Sequence, residues 1–470
     1  METRRVKTQT TEYRQLPGGP IAGPIEPALF PDSSPHNEAV GGFETAQRLR
    51  LGLAVNSLNV IGTTGINAAL GYAYWLVAAR WFTPATIGVA TAATAAISLA
   101  GLLATGGLDT WLVQNLPKTN AQGWSAKVGT ALTFCGLAGL ITGLCTALIA
   151  RPRGSGEASM SVGVSLTLIS VGAAAWTMTV LIDGAFLADR RADAMLIRNA
   201  GFGAVKLAMI VAVAVVGATR SATNLTIVWV AATVISVVAS LSVQFRRIKR
   251  AVTVRPTEFA ESITHMLGTT GWHFLTNMGG RLPMYVFPLI VINRASATEN
   301  AYFHAAWMLG SLFFVVSTGA ASSLLASGAE PGANLSELTR SSVRFISKML
   351  PPLAVVCILF GRFALSLFGP GYAKDGYAMV LVLVAAAIPD GITNIATSQM
   401  RLRQHFKQAA ALNLFMAISG CVLAYLLVPD WGITGAGAGW AISQTAGAVI
   451  VVSVCLERRI RRSNESLTAQ

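Results

Sequence analysis

Twelve long apolar stretches, joined by short loops whose Lys and Arg content alternates from one loop to the next, leave this chain few folds to choose from. The stretches cover 53–79, 85–105, 128–150, 162–187, 195–216 and 225–243, then 266–292, 301–325, 345–368, 377–398, 410–427 and 433–456. Each matches the roughly 20 apolar residues that one helix needs to cross the hydrocarbon core. Barrel strands would show alternating segments of about 10 residues instead. Charged residues make up 12% of the chain and mean hydropathy is +0.56, against about 25% charged in an ordinary soluble domain. The expected fold is an all-α polytopic membrane protein with too little chain outside the bilayer for a separate soluble activity.

The net charge of +14 invites a nucleic-acid reading, but the positions of the charges answer it. Of 35 Lys and Arg, 26 fall in the two tails and the even-numbered loops. The other side holds seven: Arg80, Arg151, Arg153, Arg220, Arg294, Arg362 and Lys374. Positive residues collect on the cytoplasmic side of membrane proteins, so both termini are expected there, in a multi-pass protein of the cell membrane. The richest loop carries Arg246, Arg247, Lys249, Arg250 and Arg255. Contact with anionic membrane lipids accounts for it without nucleic acid.

Residues 1–50 read as a cytoplasmic tail, disordered where Pro17, Pro20, Pro24, Pro27, Pro31 and Pro35 recur, because such a segment buries too little apolar surface to offset its ordering entropy. Its last part, 43–50, reads as a basic stretch on the inner headgroups. No apolar run adjoins the N-terminal Met-Glu-Thr-Arg-Arg, so no cleavable signal is expected. The first span would direct insertion. Cys135, Cys145, Cys357, Cys421 and Cys455 all lie in apolar spans without paired spacing, which suits packing and not disulfides or metal ligands.

The spans repeat. Leu53 and Met266 open spans 1 and 7 at an offset of 213, and the other five pairs are offset by 208 to 217. The expected domains are a six-helix lobe over 51–243, a basic cytoplasmic linker over 244–265, a second six-helix lobe over 266–456 and a tail over 457–470. Parallel repeats of this kind place a transport site near mid-membrane where the lobes face each other, marked by Gly- or Pro-interrupted helices. Spans 1 and 7 fit, through Gly62-Thr63-Thr64-Gly65-Ile66-Asn67 and Asn277-Met278-Gly279-Gly280-Arg281-Leu282-Pro283, with Pro288 following. Ordinary close packing through glycine is the alternative.

Arg281 carries the most weight. An Arg at the bilayer centre costs about 2.5–3.5 kcal/mol even on insertion scales, so its side chain is expected to face a wet cavity or a partner. It cannot lose its proton, and its planar fork fits phosphate oxygens. Substrate binding is therefore assigned to Arg281, Lys206, Asn67 and Asn277, against a buried ion pair of Arg281 with Asp390. Lys206 either adds charge to the cavity or snorkels to the inner interface. Asp390, in Ala387-Ile388-Pro389-Asp390-Gly391, is either an ion-coupling site or a counter-ion to Arg281 or Lys206. Asp183 reads as an interfacial ion pair beside Arg190 and Arg191. His273 and His304 read as packing residues or titrating groups, and Tyr72, Tyr74 and Trp75 as belt aromatics or sugar-stacking surfaces. No phosphate loop, zinc spacing or Ser-His-Asp set is present, so no enzyme activity, cofactor or metal is expected.

Several local sequences carry a resemblance. Ala79-Arg80-Trp81-Phe82-Thr83-Pro84-Ala85-Thr86-Ile87-Gly88, Gly106-Gly107-Leu108 with Leu116-Pro117, the run Asp183 to Asn199 and Phe368-Gly369-Pro370-Gly371-Tyr372 fall at helix junctions. Together with the twelve-span plan they resemble Wzx-like polysaccharide flippases of the multidrug/oligosaccharidyl-lipid/polysaccharide (MOP) superfamily, over most of 53–456. The resemblance implies two lobes around a central cavity, alternating access, and export of polyprenyl-pyrophosphate-linked sugars for cell-surface polysaccharide synthesis. The partners it implies are the lipid-linked glycan and glycan-assembly enzymes. Arg281 and Lys206 are the deep cations that match a cationic cavity.

Two rivals stand beside this reading. A multidrug/cation antiporter of the MATE type would want a carboxylate deep in the first lobe, and spans 1 to 3 hold no Asp or Glu. A membrane glycan polymerase or ligase would need a substantial outer loop, and 151–161, the longest, has 11 residues.

Overall fold

In the computed structural model, residues 59 and 62–468 are described, apart from 153, 218, 249–255 and 331. The tail over 1–50, with its basic stretch, lies outside the described residues. Among the described residues the chain is helical with no strand, and nine helices are long and apolar enough to cross a membrane. The first half of the chain holds α1 (62–81), α2 (Pro84–Thr105), the short α3 (Leu108–Asn115), α4 (Ala121–Ile149), α5 (Val162–Ala188), α6 (Ala192–Val216) and α7 (Ala222–Ile248). The second half holds α8 (Pro256–Arg294), α9 (Ala297–Gly328), α10 (Leu335–Ser366), α11 (Pro370–Leu402) and α12 (Phe406–Thr468). α12 is two limbs joined at Gly432, whose φ of 55° and ψ of −145° belong to a region only glycine adopts readily. The limbs fold back on each other so closely that Gly435 lies against the Leu427 backbone and Gly439 against Ala424. With α12 counted as two limbs and α3 set aside, six long helices precede the segment 249–255 and six follow it, the two groups read from the sequence as lobes.

Short polar caps set the helix ends. The Thr83, Asn120, Ser161, Ser296 and Asn334 side chains accept from the backbone N–H three residues on, satisfying one of the amides left free in each first turn. α2 stops at Gly106 (φ 52°) and Gly107 (φ 83°), which turn the chain into α3. α7 ends at Ile248 and α8 begins at Pro256, so helix reaches into both ends of the segment read as a linker.

Gly62-Thr63-Thr64-Gly65 in α1 and Gly279-Gly280 in α8 do not interrupt their helices, contrary to the sequence reading. α8 is continuous through Pro283 and Pro288. At Gly279 the absent side chain serves packing, since a methyl there would lie 2.7 Å from the Asn413 carbonyl carbon.

α2 is almost entirely buried, and its buried residues are mainly Ala, Thr, Gly and Ser. Small residues let backbones approach, and such packing drives association in lipid, where the hydrophobic effect is absent between helices. α2 touches α4, α5 and α7 in its own lobe and α8 and α9 in the other. At Gly88 the approach is so close that a methyl would overlap the Ala297 carbonyl.

Candidate functional site between the lobes

The lobe interface is built differently at its two ends. At the end away from the basic loops, Tyr72 Oη of α1 donates to the Ala364 carbonyl of α10 at 3.0 Å, and its ring meets Phe368 at 5.1 Å. Trp75 stacks edge-on against His304 of α9 at 4.9 Å. Asn300 Nδ2 donates to the Gly88 carbonyl at 2.7 Å and to Thr91 Oγ1 at 3.1 Å. One apolar cluster joins Tyr74, Trp75, Ile87 and Ala90 to Phe287, Phe303 and Trp307 across the lobes. At the basic end, Asn277 Nδ2 reaches Thr110 Oγ1 at 3.2 Å. α1 is exposed at each residue from 64 to 69, which go right round a helix of 3.6 residues per turn, and it is held there to α6 through Asn67 and Leu70.

Arg281 is exposed, about 20 Å of helix inside Arg294. Among the described residues no carboxylate lies within ion-pair range of it, so the pairing with Asp390 weighed from sequence is not formed. It sits four residues above Asn277, on one helix face. Asn277 contacts the first lobe, and Ile292, farther along nearly the same face, packs with Val89, Ala92 and Ala96 of α2. Arg281 therefore projects from the lobe-facing side of α8, beside Tyr285.

Lys206 is buried, 6% exposed, which removes the snorkelling alternative. Its Nζ lies 4.6 Å from the Tyr74 ring centroid and 5.0 Å from that of Phe202, a cation–π seat that offsets part of its desolvation. His304 Nε2 is buried nearby without a hydrogen-bond partner in the protein. Tyr72, Tyr74 and Trp75 are thus neither a membrane belt nor a free stacking surface here; they close the interface. Their aromatic periodicity gave no sign of this, because belts and seals use the same residue types.

Asn67 is drawn into a different network. Its Nδ2 donates to Asn199 Oδ1 at 3.0 Å, and Asn199 Nδ2 reaches Asp183 Oδ2 at 3.2 Å. Asp183 pairs with Arg198 through two bonds of 2.8 and 2.5 Å. The ion pair expected at Asp183 is present, but its partner is Arg198, fifteen residues on, and not Arg190 or Arg191. Side-chain direction across the α5–α6 turn decides this, and composition cannot show it.

Asp390 belongs to a separate site within the second lobe. Its carboxylate is buried, with Oδ2 lacking a partner in the protein; Ser317 Oγ is likewise buried and unpartnered, and faces it across α9 and α11. Thr393 Oγ1 donates to Gln444 Oε1 at 2.9 Å and Asn394 Nδ2 to the Asp390 carbonyl at 2.9 Å. Buried polar atoms left unsatisfied are rare and call for an explanation. The structure therefore brings Arg281 and Asn277 onto one α8 face, seats Lys206 in the seal, ties Asn67 to Asp183, and keeps Asp390 apart.

The fold is similar to that of solved transporters of the MOP superfamily. An inward-facing multidrug resistance MATE transporter of the superfamily shares it with a TM-score of 0.67 at 14% identity, over 87% of this chain and 99% of that one. The lipid II flippase MurJ in an inward closed conformation gives 0.68 at 11% identity, over 85% and 87%. A Pyrococcus furiosus MOP transporter described as having a binding pocket of reversed polarity gives 0.60 at 15%, over 88% and 95%. No family model and no curated protein matches the chain.

Proposed function

We propose that this protein is a flippase that carries a lipid-linked oligosaccharide, with an anionic polyprenyl-pyrophosphate head, from the inner to the outer leaflet of the cell membrane. The carrying observation is Arg281: a permanent cation deep in a span, exposed, free of any acid among the described residues and on the lobe-facing side of α8. Interlobe contacts concentrate at the end of Tyr72, Trp75 and Asn300, while residues 64 to 69 of α1, toward the basic end, are exposed. With the positive-inside assignment, this reading has the site closed on the outer side and entered from the cytoplasmic leaflet. Arg281 receives the diphosphate; Asn277 lies beside it, and Lys206, held in the seal, becomes available to the head as the lobes rock. The likeness to a lipid flippase supports the reading through fold alone. Cells lacking the protein should accumulate one undecaprenyl- or other polyprenyl-linked glycan at the inner leaflet; normal lipid-linked pools would count against it.

Asp390 favours a second reading, a MATE-type cation antiporter. A buried carboxylate facing an unpartnered hydroxyl can bind a proton or a small cation, and in the flippase it serves as the coupling site. The readings separate on Asp390→Asn and Arg281→Ala. An antiporter of cationic drugs loses efflux with the first and keeps it with the second.

A further inference from the structure

Outside the lobe interface, the second lobe carries a groove of about 840 Å³ on its lipid-facing side, between α10, α11 and the second limb of α12. Its walls are almost wholly aliphatic, with Ile346 and Leu350 from α10, Ile388 and Ile392 from α11, and Val452 and Leu456 from α12. Lining residues on α10 run from Val343 to Ala354, about 17 Å of helix. That is close to one leaflet of a hydrocarbon core about 30 Å thick. The groove opens toward the side of the basic loops, since it follows 343–354 of α10, near that helix's start after the basic loop, and 384–399 in the second half of α11.

Its mouth is charged. Arg340, Arg344 and Ser347 follow one another at helical spacing along α10, and Ser347 already lines the groove. Arg340 and Arg344 are exposed and border a second recess together with Ser336, Ser341, Asn334 and Glu337. Among the described residues neither Arg pairs with Glu337 or another acid, and Lys348 follows on the same stripe, also exposed. Across the mouth Gln399 Nε2 donates to Thr339 Oγ1 at 2.7 Å, tying α11 to α10 at this level. An aliphatic slot one leaflet deep with two unpaired guanidinium groups at its rim is complementary to one kind of molecule.

We propose that this groove binds an anionic phospholipid of the basic-side leaflet, with one acyl chain along α10 and its phosphate held by Arg340 and Arg344. The site does not rest on the transport reading, because none of Arg281, Asn277, Lys206 and Asn67 lines it. Each Arg near a membrane surface contributes about 1 kcal/mol toward anionic lipid, so removing both should weaken binding roughly 25-fold.

Two native thiols report on it. Cys455 is exposed and lines the groove, while Cys145 is exposed on α4 in the other lobe. The protein is placed in nanodiscs of phosphatidylcholine alone, or of equal parts phosphatidylcholine and phosphatidylglycerol, and maleimide labelling is followed at both cysteines by mass spectrometry. Phosphatidylglycerol should slow Cys455 several-fold relative to Cys145. R340Q/R344Q should abolish that protection, as should I388W, which fills the groove from an exposed position. An unchanged Cys455-to-Cys145 ratio between the two lipid mixtures overturns the proposal. So does protection that persists in R340Q/R344Q, or that scales with protein concentration in phosphatidylcholine alone, which would make the occupant a second copy of the chain.

Discussion

Asn300 of α9 donates its Nδ2 hydrogen to the Gly88 carbonyl of α2 at 2.7 Å, in a fully buried contact that pins the two lobes together. The bond requires the backbones to approach until no side chain fits at Gly88. Because it crosses the interface at one end only, it biases which side of the membrane the chamber faces. Asn300→Leu removes two interlobe hydrogen bonds, to the Gly88 carbonyl and to Thr91 Oγ1, each worth about 0.5–1.5 kcal/mol and charged to the outside-closed state alone. An A90C probe, at a buried position of the interlobe cluster, in a cysteine-free background should then react faster with an impermeant thiol reagent added outside. Unchanged reactivity would show that the contact does not hold the seal.

Arg198 and Asp183 form a partly buried pair that also anchors Asn199 and, through it, Asn67 of α1. Asp183→Asn strands a guanidinium that is 8% exposed. Breaking one side of such a pair costs about 3–5 kcal/mol when burial is complete, and less here because Asp183 keeps some exposure. The melting temperature of the purified protein should fall. In Arg198→Met with Asp183→Leu, much of that loss should return.

Lys206 separates stability from transport. Replacement by Met keeps the long apolar stem against Tyr74 and Phe202 and removes a desolvated charge, so thermal stability should hold or rise. Movement of lipid-linked glycan should nevertheless slow, because one of the two deep cations is lost. Wild-type transport in Lys206→Met would confine the residue to packing.

Gly432 connects the limbs of α12 in a conformation closed to other residues. Gly432→Ala should cost about 1–3 kcal/mol and lower the yield of folded protein, measured by size-exclusion chromatography in detergent. Gly280, where a methyl would meet open space, is the control and should tolerate Ala.

Much of this architecture is legible in the sequence, and the exceptions share a cause. Apolar runs, Thr83-Pro84 and Gly106-Gly107 place the helices because membrane crossing is a one-dimensional problem of length and polarity. The short α3 escapes that logic, since its eight residues carry Asp109, Thr110 and Gln114 and never span. Gly62 and Gly279 look like helix breaks because sequence cannot distinguish a glycine that bends a helix from one that admits a neighbour. The depth of Arg281 and Lys206 is readable by counting residues, but their surroundings are not. One emerges free of acids on the lobe-facing side and the other under aromatic rings, an outcome decided by which helices are brought together. The partner of Asp183 and the facing pair of Asp390 and Ser317 are three-dimensional facts with no local signature.

The central claim is that Arg281 receives an acidic lipid head between the lobes. Its most direct measurement is the rate at which lipid-linked glycan reaches the outer face of proteoliposomes containing wild type, Arg281→Lys or Arg281→Ala at equal protein levels. The account predicts partial activity with Lys, which keeps charge but loses the bidentate fork, and near-complete loss with Ala at an unaltered melting temperature. Undiminished transport by the Ala variant would contradict it.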